Sequence, residues 1–439
     1  MLDIQFVRNN PDIVRAAVKN KNITVDVDKL LDRDEKRRVL MAEVELLRSK
    51  KNEINENIKK TTDQEYRMRA IEEGRRIKEE LEKKEPELKL LDEQFFEYMY
   101  LLPNIPSEDT PIAKDESGNV VLRKIGKKPS FDFEPKEHFV LGEELDLIDS
   151  NRAVKVSGSR FVYLKGDLVM LEWAMMMFAF RTLTNEDILK KIAQENNIDV
   201  STQPFIPVFP PMMIRPEMHK RMGRLDPEEM YMLDRDNLTL IGSAEHTLGA
   251  MYADEILNEK NFPIRMVGFS GAFRREAGSY GKDMKGILRL HQFNKLEMET
   301  FTLPEFSRVE QDFIVAIQEY LMKALEIPYQ VLAVCTGDMG KPDYRQIDIE
   351  AWMPGQNTYR ETHTSDLIGD FQARRLNTRV RRLDGTLEFV HMNDATAFSE
   401  RPLIAILENN QQKDGSILIP KVLQEYVGKD RIENRKETR

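Results

Sequence analysis

Cysteine is almost absent: Cys335 is the single one in 439 residues. No intramolecular disulfide framework can form, and a reducing, cytoplasmic setting is expected. Histidine is equally sparse, at six scattered positions with no Cys–His spacing, so a structural zinc site is not expected. There is no long apolar run. Leu168–Phe180 is broken by Glu172 and is too short to span a bilayer, and Met1–Val14 carries no apolar stretch behind a basic one, so neither membrane insertion nor export is expected. Positive charge is not in excess either: 66 basic against 76 acidic residues give −10. That balance excludes a blanket polyanion binder and confines any nucleic-acid contact to a local patch.

What is present is length for two or three domains and a charged fraction of 32%, high enough to suggest long solvated helices. Leu40, Val44, Leu47, Lys51, Ile54 and Ile58 follow alternating steps of four and three, the repeat of a coiled-coil seam. The polar stretch Thr61–Gln64 interrupts it. A second ladder then runs through Ile77, Leu81, Lys84, Leu88, Leu91, Phe95, Tyr98 and Leu102. Two such ladders across a short turn predict an antiparallel helical hairpin over about residues 33–102, projecting on the order of 50 Å. Pro86 removes one backbone donor inside the second ladder, so a kink is expected near Glu82–Pro86. Lys50, Lys51, Lys59, Lys60, Arg67, Arg69, Arg75 and Arg76 crowd the distal half among acidic residues. On charge alone this is equally an ordinary solvated face.

An N-terminal domain is expected over residues 1–105. Pro103–Pro106 and the polar stretch after it, with Gly118 and Gly126, predict a linker over 106–130. A second domain is expected over 131–428, followed by a charged tail at 429–439. Helices are predicted at Leu145–Asn151, Asp167–Leu183 and Thr184–Asn197. Strands are predicted at Phe205–Ile214, Thr239–Ile241, Ile264–Phe269, Tyr329–Val334 and Ile347–Trp352. Strands and helices do not alternate strictly, which indicates an α+β fold rather than a doubly wound sheet. Met175–Met177, Met212–Met213 and Cys335 read as core.

The densest chemical constellation is Phe273-Arg274-Arg275-Glu276, a glycine-containing loop, then Arg289, Phe293 and Glu297. Guanidiniums at the start of such a loop and on the returning strand can hold a polyphosphate bidentately, with Phe293 as a stacking face. No Walker-type or GxGxxG loop competes with it. Carboxylates recur in β-like segments: Glu245, Glu297, Glu299, Asp348, Glu350 and Glu361. Each is either paired or faces water, and Glu361 is the candidate ligand of a hard cation such as Mg²⁺ beside a triphosphate.

These segments, in this order, resemble the seryl-tRNA synthetases, a class II aminoacyl-tRNA synthetase family. The likeness rests on the hairpin, Lys155–Phe161, Pro210-Pro211 (similar to motif 1), Phe273–Glu297 (similar to motif 2), Thr336–Gly340, Pro354–Glu361, Gly369–Arg375 and Leu407–Gln412. It implies a catalytic antiparallel sheet flanked by helices, a homodimer formed through motif 1, and a hairpin that grips the long variable arm of serine tRNA on the partner subunit. It further implies L-serine and ATP as substrates, Mg²⁺ as cofactor and a seryl-adenylate intermediate.

Carried over position by position, Arg274 looks like the α-phosphate and serine-carboxylate arginine, Glu276 the adenine contact, Phe293 the stacking aromatic, Arg289 the γ-phosphate arginine and Arg401 the motif 3 arginine. Glu361 looks like the metal-bridging carboxylate, with Thr362, His363 and Thr364 after it where many members carry serines; Arg275 joins the nucleotide group. Ser243, Ala244 and Glu245 stand for the family's Thr-Ala-Glu or Thr-Ser-Glu, and with Glu297, Asn393 and Thr396 form the expected serine set. The resemblance assigns catalysis to Arg274, Arg401 and Glu361. The segment His391–Arg401 reads as a loop one residue shorter than usual and without its glycines, and Ala395 rivals Thr396 for one place in it. An amino-acid ligase that charges a carrier protein would dispense with the arm, and a regulatory paralogue would have lost the arginines.

Overall fold

The structure, a computed structural model, describes residues 1–224, 227–276 and 285–433. The chain divides into two compact units, Met1–Pro103 and Asn104–Arg439.

In the first unit two short helices, Ile4–Asn9 and Pro11–Asn20, precede the hairpin helices α1 (Val27–Lys60) and α2 (Gln64–Leu101). The turn falls where the ladders break because Asp63 accepts from the backbone N–H groups of Glu65 (2.9 Å) and Tyr66 (3.2 Å), satisfying two donors that the first turn of α2 leaves open. Val44, Ile77 and Leu81 are buried in the seam against Leu47, Ile54 and Leu88. The seam lysine Lys84 is accommodated by Glu43, 2.6 Å away on the other arm, and Arg48–Glu85 (2.8 Å) ties the arms one turn on. α2 runs without interruption through Pro86.

The second unit is built on an eight-stranded sheet. Its strands are β1 (Val120–Ile125), β2 (Ile206–Val208), β3 (Ile264–Phe273), β4 (Gln292–Thr302), β5 (Tyr329–Ala333), β6 (Arg345–Met353), β7 (Thr358–Gly369) and β8 (His391–Ser399). Across the sheet the order is β1-β5-β6-β7-β8-β4-β3-β2. Every pairing is antiparallel except β2 with β3. The helices α3 (Asp167–Leu183), α4 (Ser307–Ala324) and α5 (Glu400–Asn409) cover one face, whose side chains form the core: Leu296 and Met298 of β4, Ile347 and Ile349 of β6, Ala395 and Ala397 of β8. Gln311 and Gln318 of α4 fasten that layer, donating to the carbonyls of Ser365 (2.9 Å) and Thr396 (2.8 Å).

Several expectations are corrected. Residues 104–130 belong to the second unit, and β1 within them is the sheet's edge strand, so this stretch is not a linker. Leu145–Asn151 is not a helix: Ile148–Asp149 pairs with Tyr163–Leu164. The next helix starts at Ser150 because Asp149 caps it through the Arg152 N–H. Phe205–Ile214 is two strands, parted at Pro210-Pro211, where no ladder donors exist. Met212 and Met213 stay 41% and 47% exposed. His391–Ser399 is a strand rather than a loop. The tail is ordered at its start, since Arg431–Ile432 pairs with Ile417–Leu418; residues 434–439 lie outside the described part. Cys335 is buried, its thiol donating to the Asp115 carbonyl (3.1 Å).

Candidate active site

Because strands alternate their side chains, the face opposite the core carries the other half of each strand. On β4 these are Phe293, Lys295, Glu297 and Glu299; on β8, Asp394 and Thr396; on β7, Thr364 and Asp366; on β6, Gln346 and Asp348. Register brings them together: Glu297 lies opposite Thr396, Glu299 opposite Asp394, Asp394 opposite Asp366, and Asp348 opposite Thr364. All of these except Glu299 and Asp348 floor a cavity of about 280 Å³, whose rim carries Arg274, Glu276, Arg289, Glu361 and Arg401. An adjoining cavity, lined by Asp338, Asp348 and Glu350, shares Arg289, Glu361 and Arg401 with it.

At the rim, Arg274 leaves β3 with its guanidinium carbon 5.5 Å from the Phe293 ring centroid, and its Nε donates to the Gly242 carbonyl (3.1 Å). Glu276 takes a left-handed conformation (φ 52°), and its carboxylate accepts from Arg289 Nη1 (3.1 Å). Arg289 lies in the loop before β4 rather than on the strand. Arg401, in the first turn of α5, reaches back to Glu361 Oε1 (2.8 Å). The result is a slot with an aromatic wall and three arginines. Residues 277–284, which hold the loop's glycines, lie outside the described part.

The floor is strongly charged. Ser243 Oγ donates to Glu297 Oε2 (3.2 Å), and Lys295 Nζ lies 2.5 Å from the same carboxylate. Burial pushes Glu297 above the usual carboxylate range, with Lys295 opposing and the neighbouring Glu245 adding to the rise. Burial would raise Glu245 as well, but Arg224, His246 and Lys295 hold it well below that range. Arg224 is paired to Asp343 Oδ1 (2.6 Å), Asp366 Oδ2 (3.1 Å) and Asp394. Asp366 and Asp394 nonetheless sit well above the usual range, because burial and the surrounding carboxylates outweigh one arginine. Beside the rim, burial and then Glu361 push Asp348 up.

Of the residues expected in the site, Arg274, Glu276, Arg289, Phe293, Glu361, Thr362, Thr364, Arg401, Glu245, Glu297 and Thr396 line the cavity. Ser243 touches it through Glu297. Glu245 is not in a strand; it opens the short helix Glu245–Leu248. Four expected residues are elsewhere. Arg275 is exposed and its guanidinium sits over Tyr231 (5.6 Å). His363 points into the core against Phe398 (5.7 Å), where burial holds it neutral, its pKa lowered to about 3. Asn393 faces away from Asp394 by strand alternation and bonds Thr300 (3.4 Å). Ala244 is fully buried below Gly268. Ala395 packs in the core, so Thr396 is the one of the two rivals that reaches the cavity. Arg224, Asp343, Asp366 and Asp394 were not anticipated. The alternation of Asp394 and Thr396 with Ala395 and Ala397 is the signal that could have found Asp394.

The comparisons decide the family. The sequence model described as the seryl-tRNA synthetase N-terminal domain matches residues 1–106. The class II tRNA synthetase core domain (G, H, P, S and T) matches residues 231–410. The serine–tRNA ligase of Dictyoglomus turgidum is 39% identical over 99% of this chain and 100% of its own length. The chain belongs to the seryl-tRNA synthetase family. Solved seryl-tRNA synthetases agree in fold. That of Pyrococcus horikoshii complexed with ATP superposes with a TM-score of 0.86 at 36% identity, covering 98% of this chain and 99% of that one. The cytoplasmic enzyme of Naegleria fowleri in complex with AMP superposes at 0.81 with 27% identity, covering 99% of each chain. Along the chain the N-terminal domain match precedes the class II core match. No helix among the described residues is long and apolar enough to cross a membrane.

Proposed function

We propose that the cavity condenses L-serine with ATP to seryl-adenylate and then transfers the seryl group to serine tRNA, releasing pyrophosphate and AMP. The observation that carries this reading is the convergence of Arg274, Phe293, Glu297, Glu361 and Arg401 on one cavity from the end of β3, two further strands and a helix.

Phe293 and Arg401 enclose the adenine, Glu276 contacts its edge and Arg289 meets the terminal phosphate. Arg274 aligns the serine carboxylate with the α-phosphate and spreads the charge that builds on the phosphoryl oxygens as the carboxylate attacks in line. No protein nucleophile is required, because positioning and fixed charge supply the acceleration. Glu361 and the buried Asp348 beside it are hard oxygen donors whose mutual repulsion a cation relieves, so they fit Mg²⁺, which would neutralise phosphate charge. Glu297, held by Ser243 and Lys295, and Thr396 opposite it read the serine hydroxyl. Alanine would leave these buried groups unpaired.

The basic residues of the hairpin are mostly exposed and meet the tRNA backbone as a local patch on an acidic protein. A homodimer is supported by apolar surface around Pro210-Pro211: Phe209 is 81% exposed, and Trp173, Met212 and Met213 are uncovered beside it. We infer action in the cytoplasm, with the tRNA.

The test is serine-dependent ATP–pyrophosphate exchange followed by charging of serine tRNA. Deleting residues 40–95 is expected to spare exchange and abolish charging; charging by the deleted protein refutes the role given to the arm. A sedimentation measurement checks the dimer, which a monomer at micromolar concentration refutes.

A further inference from the structure

The cavity floor holds more acid than a neutral side chain needs. Glu245, Glu297, Asp343, Asp366 and Asp394 line it, each no more than 8% exposed. Among the described residues, the side-chain cations paired with these acids are Arg224 and Lys295. The α-ammonium of a bound amino acid supplies a third positive charge, and its carboxylate is taken by Arg274 at the rim. With all five ionised, two carboxylates would still lack a counter-charge in a buried place, which is strongly disfavoured; Asp366 and Asp394 accordingly hold their protons above the usual range, and a second ammonium would relieve them.

A separate observation points to a ligand. Oδ1 of Asp366 is buried with no hydrogen-bond partner among the described residues, although its side chain lines the cavity; such atoms are almost always satisfied. Next to it, across the Asp366–Asp394 pair of the β7–β8 ladder, oxygens of Glu245, Glu297 and Asp394 lie within 4.8 Å of one another. A nitrogen placed among three such oxygens is no more than about 2.8 Å from each, the length of a charge-assisted N⁺–H···O⁻ bond. The floor therefore offers two neighbouring ammonium seats, the carboxylate trio and Asp366 Oδ1. A dication there would meet about twice the repulsion from Arg224 and Lys295 that a singly charged ammonium meets.

We propose that the pocket activates, besides serine, a short α-amino acid whose side chain ends in an ammonium, 2,3-diaminopropionate being the smallest of the class. This rests on the adenylate-forming reading above. In the step, a carboxylate oxygen of the amino acid bonds to the α-phosphorus of ATP. The bond from that phosphorus to the bridging oxygen breaks, and its electron pair leaves with pyrophosphate. No redox equivalent is consumed.

The experiment is ATP–pyrophosphate exchange by the full-length protein with L-2,3-diaminopropionate, L-serine and L-alanine. Diaminopropionate is expected to give kcat/KM within about tenfold of serine and at least about a hundredfold above alanine. Asp366→Asn should lower the diaminopropionate-to-serine ratio by about tenfold or more, and Asp366→Glu should restore it. If the Asn variant does not fold, the wild-type comparison decides. Normal exchange with serine and none above alanine with diaminopropionate overturns the proposal and leaves the adenylate reading standing. A folded protein that exchanges with no amino acid overturns both. Stoichiometric binding of Zn²⁺ or Mg²⁺ without ATP, lost in Asp366→Asn and unaccompanied by diaminopropionate exchange, assigns the acids to a metal and also overturns it.

Discussion

Replacing Arg224 by methionine, which keeps much of the side chain's length, should destabilise the catalytic unit to an extent that grows with pH. Arg224 is almost fully buried and pairs with Asp343, Asp366 and Asp394, with Glu245 Oε1 3.6 Å away. Removing one partner from a buried ion network costs about 3–5 kcal/mol, and that figure applies where the abandoned carboxylates stay ionised. In the wild type, Asp366 and Asp394 already hold their protons above the usual carboxylate range, chiefly through burial, while Arg224 draws both down. A group whose folded-state pKa is raised contributes stability that is complete at low pH and is lost as pH rises through the raised value. Without Arg224 both values rise further, so the folded variant binds more protons than the folded wild type. Its deficit must therefore widen by about 1.4 kcal/mol per pH unit for each extra proton held.

Urea unfolding followed by tryptophan fluorescence measures this directly, because both tryptophans, Trp173 and Trp352, lie in the unit 104–439 and report on it alone. The expected result is a deficit of about 3–5 kcal/mol at pH 8 that shrinks towards pH 5.5. Taking the difference between wild type and variant cancels the groups that titrate elsewhere. A deficit independent of pH would show that Arg224 matters through packing and not charge. A deficit below about 1 kcal/mol would refute the reasoning outright.

Two further substitutions test the rim and its support. Glu361→Gln breaks the 2.8 Å pair with Arg401 and removes the charged oxygen proposed to hold Mg²⁺; it should lower the exchange rate by about 10²–10³-fold and raise the Mg²⁺ concentration for half-maximal rate, and an unchanged magnesium dependence would count against Glu361 as the metal's ligand. Glu408→Ala strips the acceptor from the backbone N–H groups of His138 (3.0 Å) and Gly355 (2.9 Å); with those donors orphaned the catalytic unit should lose about 2–4 kcal/mol in urea unfolding, and a loss below 1 kcal/mol would mean that water or a neighbour replaces the carboxylate.

The long-range features of the fold were legible where a single periodicity decides them. Each ladder position of the hairpin is buried or half-buried in the structure, because a seam with steps of three and four depends on nothing outside the two helices. β1 escaped because Val120-Val121-Leu122 keeps 41–48% of its surface exposed at a sheet edge, so its residues show neither alternation nor a turn-bounded apolar run. The site was legible only in part for a related reason. A motif in sequence names neighbours along a strand, and neighbours along a strand face opposite ways. Thr362 and Thr364 reach the cavity while His363 between them packs on Phe398; Asp394 and Thr396 reach it while Asn393 and Ala395 do not.

The same rule explains why the acidic floor was invisible. Asp343, Asp366 and Asp394 stand in three separate segments, and each alone reads as an ordinary polar residue. Antiparallel register sets Asp366 opposite Asp394, and Arg224, arriving from outside the sheet, gathers both with Asp343. A sheet with helices on one face must keep that face apolar, but no packing demand governs the other. Whatever polar residues occupy the alternate positions become the binding surface without disturbing the core. Substitution at Thr396, which takes no part in the Arg224 network, is therefore expected to retune which amino acid is accepted while leaving the layer of Ala395, Ala397 and Leu296 intact, whereas Asp366 and Asp394 also hold Arg224 and should act on stability as well. Substitutions at the intervening positions should act first on stability.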